Sequence, residues 1–222
     1  MKKILLVFLC LLLLGCKVED TKVSSTNDNY SYKEVSKYFD EFAWGDIICL
    51  ENSHYLSNLV IPGRWKHSLI YLGTYKQVIS KIDIKHPYYH QIMNKFNTKE
   101  EVLVLDANES GVKIRCFDEM ANLKKDSYLK ALICYRINKD QEFIDSFVNN
   151  ALSYLGRDYD FDMNTKDDKK LYCSELIYWS LKKLNVEIIY STKLFKYNII
   201  SPTDVIKSLK SDNLIKKVIL LE

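Results

Sequence analysis

Cys173 heads an apolar stripe: Cys173, Leu176, Ile177, Ser180, Leu181 and Leu184 fall at i, i+3, i+4, i+7, i+8 and i+11. A cysteine in the first turn of a helix lies near unpaired backbone N–H groups and the positive end of the dipole. Both favour thiolate over thiol, which a nucleophilic cysteine requires. Taken alone, the position favours the plainer reading of a small apolar residue opening a packed face. His67 and Asp106 change the weighing. His67 opens an apolar run and alternates with Trp65, Leu69 and Tyr71. Such a histidine can be a hydrogen-bonded core residue or a base. Asp106 closes Val102-Leu103-Val104-Leu105 and alternates with Val102 and Val104, so it points to the apolar side. A carboxylate buried there is costly without a partner, and a histidine on a neighbouring strand would be one. Cys, His and Asp brought together would act as nucleophile, base and orienter.

The elements that must position these residues follow from the patterning. Residues 32–42 suit a short helix. Trp44-Gly45-Asp46 makes a turn into a strand at Ile47–Leu50. Residues 67–72 form a second strand ended by Gly73, and 101–107 a third. Asn108-Glu109-Ser110-Gly111 is a four-residue hairpin connection into a fourth strand at Val112–Cys116. Residues 129–137 form a fifth. The period then changes: Phe143, Phe147, Ala151, Tyr154 and Leu155 predict a helix over 140–155. A polar loop runs from Gly156 to Lys170, and the Cys173 helix covers about 172–184. Ser201-Pro202-Thr203-Asp204 starts a last helix, and 217–221 suits a final strand. Residues 74–100 form a long connection, either a lid carrying Tyr88, Tyr89 and Phe96 or an ordinary surface insert. Strands followed by helices within one domain give an α+β class with an antiparallel sheet.

The N-terminus bears on location. Lys2-Lys3 precedes an apolar run of 11 residues, Ile4 to Leu14. A spanning helix needs roughly 20 apolar residues, so this is a signal h-region. Gly15-Cys16 closes it and resembles the lipobox of bacterial lipoproteins. An ordinary cleaved signal with an incidental cysteine is the alternative. If Cys16 is lipidated, its acyl chains anchor the mature protein to a membrane. The expected organisation is a signal peptide at 1–15, a lipidated N-terminus and polar tether at 16–35, and one domain at 36–222. Removing Lys2 and Lys3 lowers the net charge from +3 to +1. With its lysines scattered among acidic residues, the chain carries no nucleic-acid footprint.

Beyond Cys10 and Cys16, four cysteines remain, at 49, 116, 134 and 173, with no CxxC. Cys49 and Cys134 sit in apolar runs and look structural. A disulfide among 49, 116 and 134 stays open in an exported protein. His86 and His90 are four apart, but no third ligand stands out and a solvated loop is the preferred reading. No metal or cofactor is expected.

Five blocks together resemble the circularly permuted NlpC-like cysteine hydrolases, in particular the YiiX/YebB-like branch. They are Trp44-Gly45-Asp46-Ile47-Ile48, Trp65-Lys66-His67-Ser68-Leu69-Ile70-Tyr71-Leu72-Gly73, Val104-Leu105-Asp106-Ala107 with Gly111-Val112, Gly156-Arg157-Asp158-Tyr159-Asp160 and Tyr172-Cys173-Ser174-Glu175-Leu176-Ile177-Tyr178. The resemblance spans residues 44–180. It implies a papain-type core in which the histidine strand precedes the cysteine helix, with an antiparallel sheet or partial barrel against that helix. It further implies Cys173 as nucleophile, His67 as base, Asp106 as the group that holds the imidazole, and Tyr159 as an oxyanion donor beside the Cys173 backbone N–H. Asp158 departs from the proline that many relatives carry, and relatives often have Glu or another polar residue at the position of Asp106.

The implied reaction is acyl transfer from an amide or ester to Cys173 and then to water. The envelope location makes a peptide, such as one from peptidoglycan, the natural substrate. A lipid-directed thiol acyltransferase or lipase is the alternative enzyme. A binding lipoprotein with an inactive papain-like core is the alternative that is not an enzyme.

Overall fold

The computed structural model describes residues 29–53, 61–194 and 197–222. The signal segment, Cys16 and most of the expected tether lie outside those residues. The strands in chain order are β1 Ile47–Asn52, β2 His67–Thr74, β3 Val102–Asn108, β4 Gly111–Cys116, β5 Leu129–Ile137, β6 Thr192–Leu194, β7 Tyr197–Ile199 and β8 Ile215–Leu221. The helices are α1 Tyr32–Val35, α2 Tyr75–Ile79, α3 Tyr89–Met93, α4 Gln141–Leu152, α5 Cys173–Lys182 and α6 Pro202–Ser211. Six strands form one antiparallel sheet in the order β4-β3-β2-β1-β5-β8, and β6 and β7 form a separate two-stranded sheet. This is the α+β arrangement that the sequence predicts.

The inner strands are apolar at nearly every position because the sheet is covered on both faces. Cys49, Ile70, Leu72, Leu103 and Leu105 pack with Phe147 of α4, Leu176 and Leu181 of α5 and Leu209 of α6. Ile48, Leu50, Leu69, Tyr71, Val102 and Val104 pack with Val35, Phe39, Phe42, Phe117 and Met120. The second layer is therefore built from the N-terminal segment and the 3-10 turns at Phe117–Asn122.

Several boundaries differ from expectation. The Tyr30 N–H donates to the Leu129 carbonyl at 2.8 Å and Val35 is fully buried, so the folded body begins before residue 36. β2 does not end at Gly73: it shifts register after Tyr71 and runs on to Thr74, which caps α2. Asn108 pairs with Gly111, which leaves a two-residue turn of Glu109 and Ser110. The two predicted long helices are shorter, ending at Leu152 and Lys182, while β8 starts two residues early, at Ile215.

Residues 74–100 are not an open connection. Val78, Ile82 and Ile92 are core residues, and the His86 Nε2 bonds Asn149 Oδ1 of α4 at 2.9 Å. Cys49, Cys116, Cys134 and Cys173 are all free thiols, so no disulfide links the first three.

Ahead of β1, Asp46 is almost completely buried and receives both Arg136 Nε (2.9 Å) and Nη2 (2.8 Å), as well as the Ala43 N–H (2.8 Å). The turn needs Gly45: its φ is +84°, and a Cβ there would lie 2.7 Å from the Ile144 side chain.

Candidate active site

The first turn of α5 is fixed from two sides. Glu175 folds back so that its Oε2 accepts from the Tyr172 N–H at 3.3 Å. The Tyr172 hydroxyl accepts from the Ile200 N–H at 2.9 Å, and Ser174 Oγ donates to the Ile200 carbonyl at 2.8 Å. Ile200 links β7 to α6, so both backbone groups of one residue grip the turn that carries Cys173.

His67 opens β2 and pairs across the sheet with Leu50. Its Nε2 lies 2.6 Å from Asp106 Oδ1. Cys173 lies beside the imidazole and the Ser68 backbone N–H, close enough for both to bear on its ionisation. The structure thus brings together three residues drawn from β2, β3 and α5, with His67 and Cys173 more than a hundred positions apart in the chain. Cys173 and Asp106 are buried, while the His67 side chain retains 19% exposure.

The electrostatics favour charge separation. Burial opposes the Cys173 thiolate, but the His67 charge, the His67 hydrogen bond and the Ser68 N–H outweigh it and hold the thiol below its ordinary range. Burial likewise opposes the His67 cation, but Asp106 and Cys173 outweigh it and hold the imidazole well above its ordinary value. A thiolate facing an imidazolium is the form these shifts select. The other cysteines differ. Burial pushes Cys49 and Cys134 up, and burial together with nearby acidic groups pushes Cys116 up to about 11.

Tyr159 lies on the loop leading into α5, near Cys173 and Asp106. Burial, then the negative charge of those two groups, raises its phenol, so it remains a proton donor. The loop is pinned at its start: the Val112 N–H donates to the Arg157 carbonyl at 2.9 Å and the Gly156 N–H to the Val112 carbonyl at 3.0 Å. Near its end the Leu171 N–H donates to the Asp158 carbonyl at 3.0 Å. Asp158 is exposed and contributes its backbone carbonyl there. A Cβ on Gly111, whose φ is +89°, would fall 2.5 Å from the Arg157 carbonyl, so this junction admits only glycine. Tyr159 packs edge-on against Phe161 at 4.9 Å, and Phe161 is largely exposed.

Three groups at the site escaped the sequence reading. Arg115 Nε donates to Asp106 Oδ2 at 3.1 Å. The Ser68 N–H is backbone and carries no signal in residue type. Glu175 is fully buried, and desolvation pushes its carboxyl up to about 8, so it is largely neutral at pH 7. The pair His86 and His90 is not assembled as a site: His86 is bonded to Asn149, and His90 packs edge-on against Tyr89. Among the described residues no group of three or more His, Cys, Asp and Glu is placed to hold a metal ion.

Residues 41–218 match the family described as permuted papain-like amidase enzymes, YaeF/YiiX, C92 family. The crystal structure of the metalloprotein YiiX from Escherichia coli O157:H7 is similar in fold. It superposes with a TM-score of 0.52 at 14% identity, covering 81% of this chain and 97% of that one. No curated protein matches the chain in sequence. The family match takes in β1 through most of β8, and the chain therefore belongs to the C92 family of permuted papain-like amidases, a cysteine hydrolase by fold and family.

Proposed function

We propose that this protein is a cell-envelope lipoprotein that cleaves an amide bond in a peptide, with cell-wall peptides as the substrate class. Cys173 is the nucleophile, His67 the acid and base, Asp106 the orienter and Tyr159 an oxyanion donor. The thiolate attacks the amide carbonyl, and the negative charge on oxygen is met by the Tyr159 hydroxyl and the Cys173 N–H. The His67 imidazolium gives its proton to the leaving amine as the C–N bond breaks, leaving a thioester. Neutral His67 then takes a proton from water, whose oxygen attacks the thioester. The acid product leaves as Cys173 is restored. The single observation that supports this reading is the His67–Asp106 contact at 2.6 Å, with the Cys173 thiol beside the imidazole at the head of α5 and held below its ordinary range by it.

The substrate class rests on the Lys2-Lys3, apolar run and Gly15-Cys16 pattern, which would place the domain beside the wall. The test is to incubate the protein with wall-derived peptides, generic peptides and acyl esters, and to read products by mass spectrometry. Release of new amines from wall peptides, abolished by Cys173→Ala, is the expected result. Cleavage of acyl esters alone would make it a lipid-directed enzyme. No cleavage, together with an inert Cys173, would make it a binding lipoprotein. Incorporation of a labelled fatty acid that Cys16→Ser abolishes checks the anchor.

A further inference from the structure

Asp106 uses one oxygen for His67 and the other for Arg115, and is 1% exposed. Arg115 is 12% exposed on its side chain, and its Nη2 also reaches Asn108 Oδ1, Ser110 Oγ (2.8 Å) and the Gly111 carbonyl (3.3 Å). One guanidinium therefore ties the Asp106 carboxylate to the tip of the β3–β4 hairpin. That tip is bonded through Val112 to Gly156 and Arg157, where the Tyr159 loop begins. A planar fork with several fixed donors can hold two partners at set angles, which a lysine cannot.

We infer that Arg115 is a positioning residue for the hydrolysis, fixing the Asp106 carboxylate against His67 and supplying the positive charge that balances it. This rests on the proposed roles of Cys173, His67 and Asp106. With Arg115 present, a cation sits behind the carboxylate and the thiolate forms more readily. Without it, Asp106 bears uncompensated negative charge toward both reacting groups. That charge disfavours the Cys173 thiolate and favours the His67 cation, so both ionisations move to higher pH.

The charged and titratable groups around the site are His67 from β2, Lys113 opposite Asp106 on β4, Glu109 from the hairpin tip, Tyr159 and Asp160 from the loop, Cys173 and Glu175 from α5, and Cys49 from β1. Lys113 is exposed, and among the described residues the cations on the carboxylate are the His67 imidazolium at Oδ1 and Arg115 at Oδ2.

The test is the pH dependence of Cys173 alkylation by iodoacetamide in the full-length protein, read by mass spectrometry, alongside turnover of whichever peptide the wild type cleaves. In Arg115→Gln the acid limb is expected to rise by about one pH unit, a roughly tenfold slower reaction at pH 6. In Arg115→Lys the charge remains and the fork is lost, so the acid limb stays near the wild type while turnover falls about tenfold. Wild-type limbs in a folded Arg115→Gln protein overturn the inference. If that variant does not fold, wild-type turnover in Arg115→Lys overturns it. A wild-type Cys173 that titrates like an ordinary thiol sinks the underlying roles instead, so the two failures are distinguishable.

Discussion

Two buried aspartates, Asp46 and Asp106, are each gripped by an arginine, and their uses diverge. Asp46 spends both oxygens on Arg136 and takes the Ala43 N–H as well, with the Cys134 thiol 3.6 Å away. It is a closed system that locks the turn before β1 to β5. Asp106 gives only one oxygen to Arg115 and leaves the other for the imidazole. The same carboxylate–guanidinium chemistry therefore serves a joint at one end of the sheet and an open acceptor at the other. The difference lies in how many lone pairs the scaffold consumes before a reacting group arrives.

The sharpest break of that comparison removes the reacting group itself. Cys173→Ala should abolish peptide hydrolysis, a loss of at least about a thousandfold, with an unchanged melting curve within about 1 kcal/mol. Asp106→Asn comes next. The carboxylate is lost, His67 is no longer held in one tautomer, and turnover should fall on the order of a thousandfold while the protein stays folded. Asp46→Asn should do the opposite. It breaks a buried pair and costs about 3–5 kcal/mol in denaturant unfolding, with turnover per folded molecule unchanged.

Tyr159→Phe removes one proposed oxyanion donor and should lower turnover about a hundredfold with little change in KM. The smallest effect concerns Glu175. Its carboxyl is raised to about 8 in the folded state from an unfolded value near 4.5, so its contribution to stability is full below about pH 4.5. That contribution fades as pH rises toward 8. Glu175→Gln, which mimics the neutral acid, should flatten the fall in unfolding free energy between pH 5 and 8. Urea midpoints across that range check it.

The residues proposed to do the chemistry are legible where a period carries them. The i, i+3, i+4 stripe from Cys173 to Leu184 placed the thiol at a helix start, and the alternation Val102, Val104, Asp106 put a carboxylate on a covered face. β5 at Leu129–Ile137 was bounded correctly because its apolar run lies between polar turns. Tyr159 came from the resemblance to a family and from no pattern of its own.

Arg115 was missed for a physical reason. Gly111-Val112-Lys113-Ile114-Arg115 alternates apolar and cationic residues, as a solvated edge strand does. Only the two-residue turn sets Arg115 opposite Val104, one step along the face from Asp106. β6 and β7, at three residues each, are too short for any period to show. Residues 74–100 hid their contribution because Val78, Ile82 and Ile92 reach the core from separate short helices and turns.

The most direct test is a competition among the four thiols Cys49, Cys116, Cys134 and Cys173. The protein is treated with sub-stoichiometric iodoacetamide at pH 6, and labelling is mapped by mass spectrometry in the wild type and in His67→Ala. Labelling concentrated at Cys173, and lost when His67 is removed, is the expected result. Equal labelling of all four, or reactivity at Cys173 that does not depend on His67, would contradict a thiolate held by the imidazole.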